Sequence, residues 1–415
     1  MVRIRTKPSL YLIIFSLLIF AGCGSEVVEE TEENEIVQQM EDISQDKSVL
    51  DKETEVSKDL VKNLVGRMSL EEKAGQVLMP AFRKGEGGET ILTIHDNLQK
   101  KLNQLKPGGI ILFSENIRDE QQLIALIQDL QKTSDIPLLM AVDEEGGRVS
   151  RLTGKEIEFP EMTGNRILGS TRDLSQIHSS GKQLGKRLKE LGFNMNMAPV
   201  ADVDSNPANP VIGERSFGSD PELVAIFAMT QAEGMMAEGI IPVFKHFPGH
   251  GDTDMDTHFG QVVLPHNMER MEKVELVPFQ KGIDHGIPVI MTAHLMVPVY
   301  DEFYPASLSE AILTGLLREK MGFQGLIVTD ALEMAAISNE WDSGEASVMA
   351  LKAGADLLLM PSEPLEAHKA IIAAVKEERL SEERLDESVV KILQLKKEYQ
   401  LTLGPLVNKE QPHND

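Results

Sequence analysis

Eight short apolar runs, each followed by a longer amphipathic or polar stretch, constrain the fold of this chain more than any other feature. They fall at residues 75–80, 109–113, 137–142, 193–200, 240–244, 288–292, 325–329 and 355–360. Runs of this length suit strands of a parallel sheet buried on both faces. Helical periodicity fills intervening stretches such as 120–134, 174–191, 221–238, 268–285, 309–321 and 345–353. Two further helices are expected at 363–377 and 381–401, the second opened by Ser381 as N-cap. Repeated strand-helix units imply α/β architecture with a parallel sheet, and eight strands close a (β/α)8 TIM-type barrel. An open doubly wound sheet alternates in the same way. Its usual mark is a glycine-rich phosphate loop after the first strand, and Met79-Pro80-Ala81-Phe82 offers none.

The 415-residue length accommodates one such barrel with extensions. A net charge of −25 argues against nucleic acid, because neutralising phosphates needs surplus Lys and Arg. Residues 1–23 read as a processing segment: Arg3, Arg5 and Lys7 precede an apolar run over 10–20, then Ala21, Gly22 and the only cysteine, Cys23. This resembles a bacterial lipoprotein signal, which implies lipidation at Cys23 and a mature chain anchored in the cell membrane on its extracytoplasmic face. A single cysteine leaves no internal disulfide. Residues 24–58, rich in Glu and Asp, are expected to form an extended, disordered tether. The barrel is expected over 59–403, with a tail over 404–415.

In a barrel, chemistry gathers where the strands end. Asp143 follows the third run, Asp202 the fourth, Lys245 and His246 the fifth, His294 the sixth and Asp330 the seventh. After the fifth run, residues 245–258 pack three histidines, three aspartates and a lysine into one turn-rich loop. A carboxylate fixed at a strand end, as Asp330 is expected to be, has few rotamers and a defined direction, which suits a nucleophile; it also suits a helix N-cap. His258 with Asp256 nearby can donate and recover a proton near neutrality. Asp252, Asp254 and Asp256 imitate a calcium loop, but Thr257 stands where glycine is needed and Val263 where glutamate is needed. His246 and His250 are spaced as a helical zinc pair, yet Pro248 and Gly249 break a helix between them. No metal and no cofactor are expected.

Four motifs in order complete the picture: Asp143-Glu144-Glu145-Gly146-Gly147-Arg148-Val149-Ser150-Arg151, Asn209-Pro210-Val211-Ile212-Gly213-Glu214-Arg215-Ser216-Phe217, Lys245-His246-Phe247-Pro248-Gly249-His250-Gly251 with Asp256-Thr257-His258, and Thr329-Asp330-Ala331-Leu332-Glu333-Met334. Together they resemble glycoside hydrolase family 3, and within it the β-N-acetylglucosaminidase branch that recycles peptidoglycan. The resemblance runs from about Leu64 to Leu401. It implies retaining hydrolysis of terminal β-linked N-acetylglucosamine, with Asp330 as nucleophile, and His258 as acid/base on a mobile loop partnered by Asp256. It also implies that Asp143, Arg151, Arg215, Lys245 and His246 bind the sugar; for Arg148, a structural ion pair is an equal reading. Related Gram-positive enzymes often carry a second α/β domain after the barrel, whereas this sequence stops soon after its final expected helix; with the acid/base on a barrel loop, the resemblance still implies activity. A β-N-acetylglucosaminide phosphorylase and a non-catalytic sugar-binding lipoprotein are the alternatives.

Overall fold

The computed structural model describes residues 54–401. Cys23, the leader and the 404–415 tail lie outside the described residues, as does the acidic stretch up to residue 53. A helix over Thr54–Val65 begins inside the 24–58 stretch expected to stay extended.

All eight expected strands form: β1 (Leu78–Met79), β2 (Gly109–Leu112), β3 (Leu139–Val142), β4 (Met195–Asn196), β5 (Ile241–Phe247), β6 (Val289–Thr292), β7 (Leu326–Thr329) and β8 (Leu358–Leu359). Strands β2 to β7 are joined in chain order by parallel pairing. Closure comes from β1, which pairs with β8 in the register Leu78↔Leu358 and Met79↔Leu359. The Ile111 N–H donates to the Pro80 carbonyl at 3.2 Å, which joins β1 to β2. The Asp356 N–H donates to Ile327 at 2.8 Å, which joins β7 to β8. The ring is therefore a complete (β/α)8 barrel, and its strands are buried along their length, as continuous apolar runs require.

Local chemistry starts the helices where the pattern predicts. Asp119, Asp173, Asp220, Asp342 and Ser381 each cap a helix by accepting a backbone N–H of its first turn. Ser69 and Glu72 form a reciprocal capping box ahead of Leu70–Gln76, a helix that takes up Gly75 and Gln76 and shortens β1 to its last apolar residues. The 268–285 helix is divided: Met271–Glu275 has π spacing, and Val277–Asp284 restarts at Pro278, which has no N–H to continue an α-helix. The 309–321 helix is π-type over Ala311–Lys320, and nothing in its sequence explains this.

The main correction concerns β5. It was expected to stop at Phe244 but runs through Lys245 and His246 to Phe247. Both polar residues are almost fully buried, at 2% and 7% exposure, because partners on neighbouring strand ends satisfy them.

One buried carboxylate fastens the closing seam. Asp356, fully buried, accepts from Arg384 at 3.2 Å, Ser388 at 3.0 Å and the Ile327 N–H at 3.0 Å, and also from Arg318. It ties the C-terminal helix Glu382–Glu398 to β7 and β8. Asp356→Ala strands two guanidiniums in a poorly hydrated site. The expected cost is about 3–5 kcal/mol of unfolding free energy, read as a lowered urea midpoint.

Candidate active site

The carboxyl ends of the strands enclose a cavity of about 290 Å³. Every residue that the motifs singled out for chemistry or sugar contact lines it except Asp256: Asp143, Arg151, Arg215, Lys245, His246, His258 and Asp330. Asp256 stands behind His258, bonded to its ring.

A buried charge network builds one wall. The Lys245 ammonium, at the heart of β5, lies 2.6 Å from Asp143 and 2.6 Å from Glu145. Glu145 receives both arms of Arg215, at 2.8 and 2.7 Å, and Arg151 donates to the other Asp143 oxygen at 3.0 Å. Burial opposes ionisation of Glu145, but Arg215 and Lys245 outweigh it and hold the carboxyl well below the usual range. Glu145 was not expected from sequence, where it reads as one acid among three consecutive ones. The charge run at a strand end was the available signal.

Glu144 points elsewhere. Fully buried, it accepts from the Ser150 hydroxyl at 2.9 Å and the Arg151 and Leu152 N–H groups at 2.8 and 3.2 Å, with no cation in contact. It shapes the turn that delivers Arg151 to Asp143. Burial pushes its pKa up to about 7.

Asp202 orders the next strand end. Its Oδ1 accepts the His246 and His250 N–H groups at 3.1 and 2.7 Å, while Oδ2 lies 2.7 Å from His246 Nδ1. Burial opposes its charge, but His246 and the other donors keep it ionised. A carboxylate only accepts, so His246 carries its proton on Nδ1 and turns Nε2 toward Arg215, 3.5 Å away. His250 is engaged by Thr253 at 2.8 Å. The three loop histidines are thus held by separate partners.

Asp330 follows β7 directly, half-buried, with its N–H donating to the Thr292 carbonyl at 2.8 Å. Its Oδ1 accepts the Ala331 N–H at 2.8 Å. Burial opposes ionisation, but the His294 and His246 imidazoles, the Ala331 N–H and His258 together hold it below the usual carboxylate range. This is a charged oxygen aimed into the cavity.

The loop over 248–260 carries His258, whose side chain is 64% exposed. Asp256 Oδ1 accepts the His258 N–H at 2.9 Å and lies 2.7 Å from its Nδ1, which leaves Nε2 free. The loop's root is pressed on the β4 end: a Cβ at Gly251 would lie 1.7 Å from the Val203 carbonyl oxygen, so only glycine fits. Its far end is tied by the Ala336 N–H, which donates to Thr257 at 3.3 Å.

Arg148 has a structural place. It donates to the Val211 carbonyl at 2.6 Å and lies 3.6 Å from Glu214. Outside the cavity, Asp252, His266 and Glu275 bring ligand atoms within 4.8 Å of one another. Arg270 already supplies a cation there, 2.9 Å from Glu275 and 3.5 Å from Asp252.

Residues 69–395 match the model of the glycosyl hydrolase family 3 N terminal domain, and the chain belongs to that family. A relative from Pseudoalteromonas piscicida, Beta-hexosaminidase A, is 35% identical over 367 residues, covering 79% of this chain and 61% of its own. A Beta-hexosaminidase of Nitrosomonas eutropha is 35% identical over 318 residues, covering 74% of this chain and 89% of its own. Among solved structures, a glycoside hydrolase family 3 beta-N-acetylglucosaminidase from Paenibacillus sp. str. FPU-7 superimposes with a TM-score of 0.76 at 39% identity, covering 80% of this chain and 63% of that one. This chain therefore spans less than two thirds of the first and third of these, and most of the second.

The Glu144 environment sets a pH signature. Its folded pKa, about 7, lies above its ordinary 4.5, so folding favours the protonated form. The stability this contributes is complete below the unfolded value and is lost as pH rises through about 7. Glu144→Gln lacks that loss. From pH 5 to pH 8 the variant should gain about 1–3 kcal/mol relative to the parent in urea unfolding. A constant difference between the two proteins across that range would contradict the assignment.

Proposed function

We propose that this protein is a retaining exo-β-N-acetylglucosaminidase acting on terminal β-linked N-acetylglucosamine of peptidoglycan fragments. The observation that carries the reading is the pairing of an ionised Asp330 with the Asp256-His258 dyad on one cavity. The names of the curated relatives support the choice of an amino sugar.

In the proposed reaction, Asp330 attacks the anomeric carbon through Oδ2, since Oδ1 is taken by the Ala331 N–H. The bond from C1 to the glycosidic oxygen breaks, and that oxygen takes the proton from His258 Nε2. Asp256 keeps the Nδ1 proton in place, so the ring delivers from the other nitrogen. Water then attacks C1 of the glycosyl-enzyme, giving its proton to His258 and releasing Asp330. Asp143, Arg151, Arg215, Lys245 and His246 hold the sugar hydroxyls, an acceptor carboxylate set among donors. The reading also places the protein on the outer face of the cell membrane, held by lipid on Cys23.

Asp330→Ala should abolish turnover of 4-nitrophenyl N-acetyl-β-D-glucosaminide, while His258→Ala should slow it by roughly two to four orders of magnitude. An activated leaving group should rescue only the first step of the His258 variant, seen as a burst of nitrophenol. Wild-type turnover by the Asp330 variant would remove the assignment. A glycosyl phosphate product in phosphate buffer would instead mark a phosphorylase.

A further inference from the structure

The residues proposed above to hold the sugar, and the buried acids paired with them, all lie on one arc of the barrel. Asp143, Arg151 and Glu145 follow β3, Asp202 and Arg215 follow β4, and Lys245 and His246 sit in β5. The opposite arc, β7 through β8 to β1, contributes a second polar feature to the same cavity. Arg83, on the segment after β1, donates through Nη2 to Glu333, four positions past the end of β7. Both line the cavity and both are about one third exposed, 34% for Arg83 and 33% for Glu333.

The Arg83 segment is pinned by its backbone. The Arg83 carbonyl accepts the Ile91 N–H at 3.1 Å, Lys84 bridges to Thr90, and the Phe82 carbonyl accepts from Asn116 at 2.9 Å. The Arg83 guanidinium carbon lies 5.2 Å from the centre of the Phe113 ring, and that of Arg151 lies 5.3 Å from the same ring. Phe113 thus links the hydroxyl-holding arc to the Arg83 side of the pocket.

We propose that Arg83 and Glu333 are specificity-determining residues that recognise the 2-acetamido group of the sugar, a role that rests on the hexosaminidase reading above. Three arguments converge. Asp330, at the end of β7, bonds C1 and the β3–β5 arc takes the remaining hydroxyls, so the pair on the β7–β1 side of the same cavity is left to face the substituent on the neighbouring carbon, C2. A secondary amide offers one acceptor and one donor side by side; a guanidinium next to a carboxylate offers the reciprocal donor and acceptor. The acetyl carbonyl accepts from Arg83, the amide N–H donates to Glu333, and the methyl meets the Phe113 ring. A 2-hydroxyl lacks the second group needed to engage both partners, and a free 2-ammonium can donate to Glu333 but has no lone pair to accept from Arg83. Sites built to hydrogen-bond a substrate group reject analogues that lack it far more strongly than apolar pockets reject a missing methylene.

The test compares kcat/KM for 4-nitrophenyl N-acetyl-β-D-glucosaminide and 4-nitrophenyl β-D-glucoside, with inhibition constants for N-acetylglucosamine and glucose, on the full chain. The wild type should prefer the acetamido member of each pair. Arg83→Ala and Glu333→Gln should each lower that preference by about 10- to 100-fold. Arg83→Lys, which keeps the charge but not the planar fork, should retain part of it and serves as the readout if the alanine variant does not fold. A preference that survives intact in variants whose activity falls equally on both substrates overturns the inference alone. A wild type that shows no acetamido preference overturns the hexosaminidase reading and this assignment with it.

Discussion

A lysine ammonium buried in the middle of a barrel strand is the constraint on which this site depends. Lys245 is 2% exposed, too deep for water to solvate its charge. Its position is tolerable only because Asp143 and Glu145 approach to 2.6 Å each, and because Arg215 balances the second acid. The ends of β3 and β5 and the segment after β4 are therefore locked to one another by charge pairing and not by backbone ladders alone. Removal of any one member would leave its partner charged and dry, so the network behaves as a unit. In the proposed reaction this rigidity is useful: Asp143 is pinned by two cations, yet its carboxylate has acceptor capacity left for sugar hydroxyls.

The same network explains what was legible in the sequence and what was not. The barrel could be read because a strand buried on both faces must be apolar throughout, and the competing open doubly wound sheet lacks its glycine-rich loop after the first run. Helix positions could be read from periodicity and, at Ser381, from a cap that acts on a donor only three residues away. The end of β5 could not, since the rule that a strand stops at its first charge assumes that charge seeks water. Lys245 and His246 find buried partners, Glu145 and Asp202, from segments about 100 and 44 residues earlier in the chain. No local pattern encodes such a meeting. Glu145 went unnoticed for the same reason, as its composition is that of a solvated acid and only its partners make it structural.

The two ends of the cavity differ in how far motif reading could go. Asp330, His258 and the hydroxyl-facing set belong to contiguous motifs, so a resemblance carried them to the right rim. Arg83 and Glu333 are 250 positions apart; Glu333 belongs to the Asp330 motif, but Arg83 lies outside all four motifs, on a segment with no distinctive composition. Their pairing follows only from barrel closure, which places β1 beside β8 and β8 beside β7. A closed sheet thus creates a juxtaposition that an open one would not, with the first and seventh segments meeting over the same opening.

Closure also bears on how Asp330 is aimed. His294, fully buried after β6, reaches the Ala331 carbonyl through Nε2 at 2.9 Å and Ser307 through Nδ1 at 2.7 Å. A carbonyl only accepts, so Nε2 bears the proton and the ring grips the backbone beside Asp330, not its carboxylate. The Asp330 N–H is held from β6 as well, by Thr292. The carboxylate is left with a single local donor, the Ala331 N–H. A nucleophile wrapped in strong donors would be stabilised in the ground state as much as in the transition state, and would lose reactivity. Here the surrounding imidazoles favour its charge through space while the backbone fixes its direction, so one oxygen stays uncommitted. His258, on the exposed loop, reaches the same cavity from the solvent side, and the proton it gives the leaving oxygen in the first half of the proposed reaction is returned by the attacking water in the second.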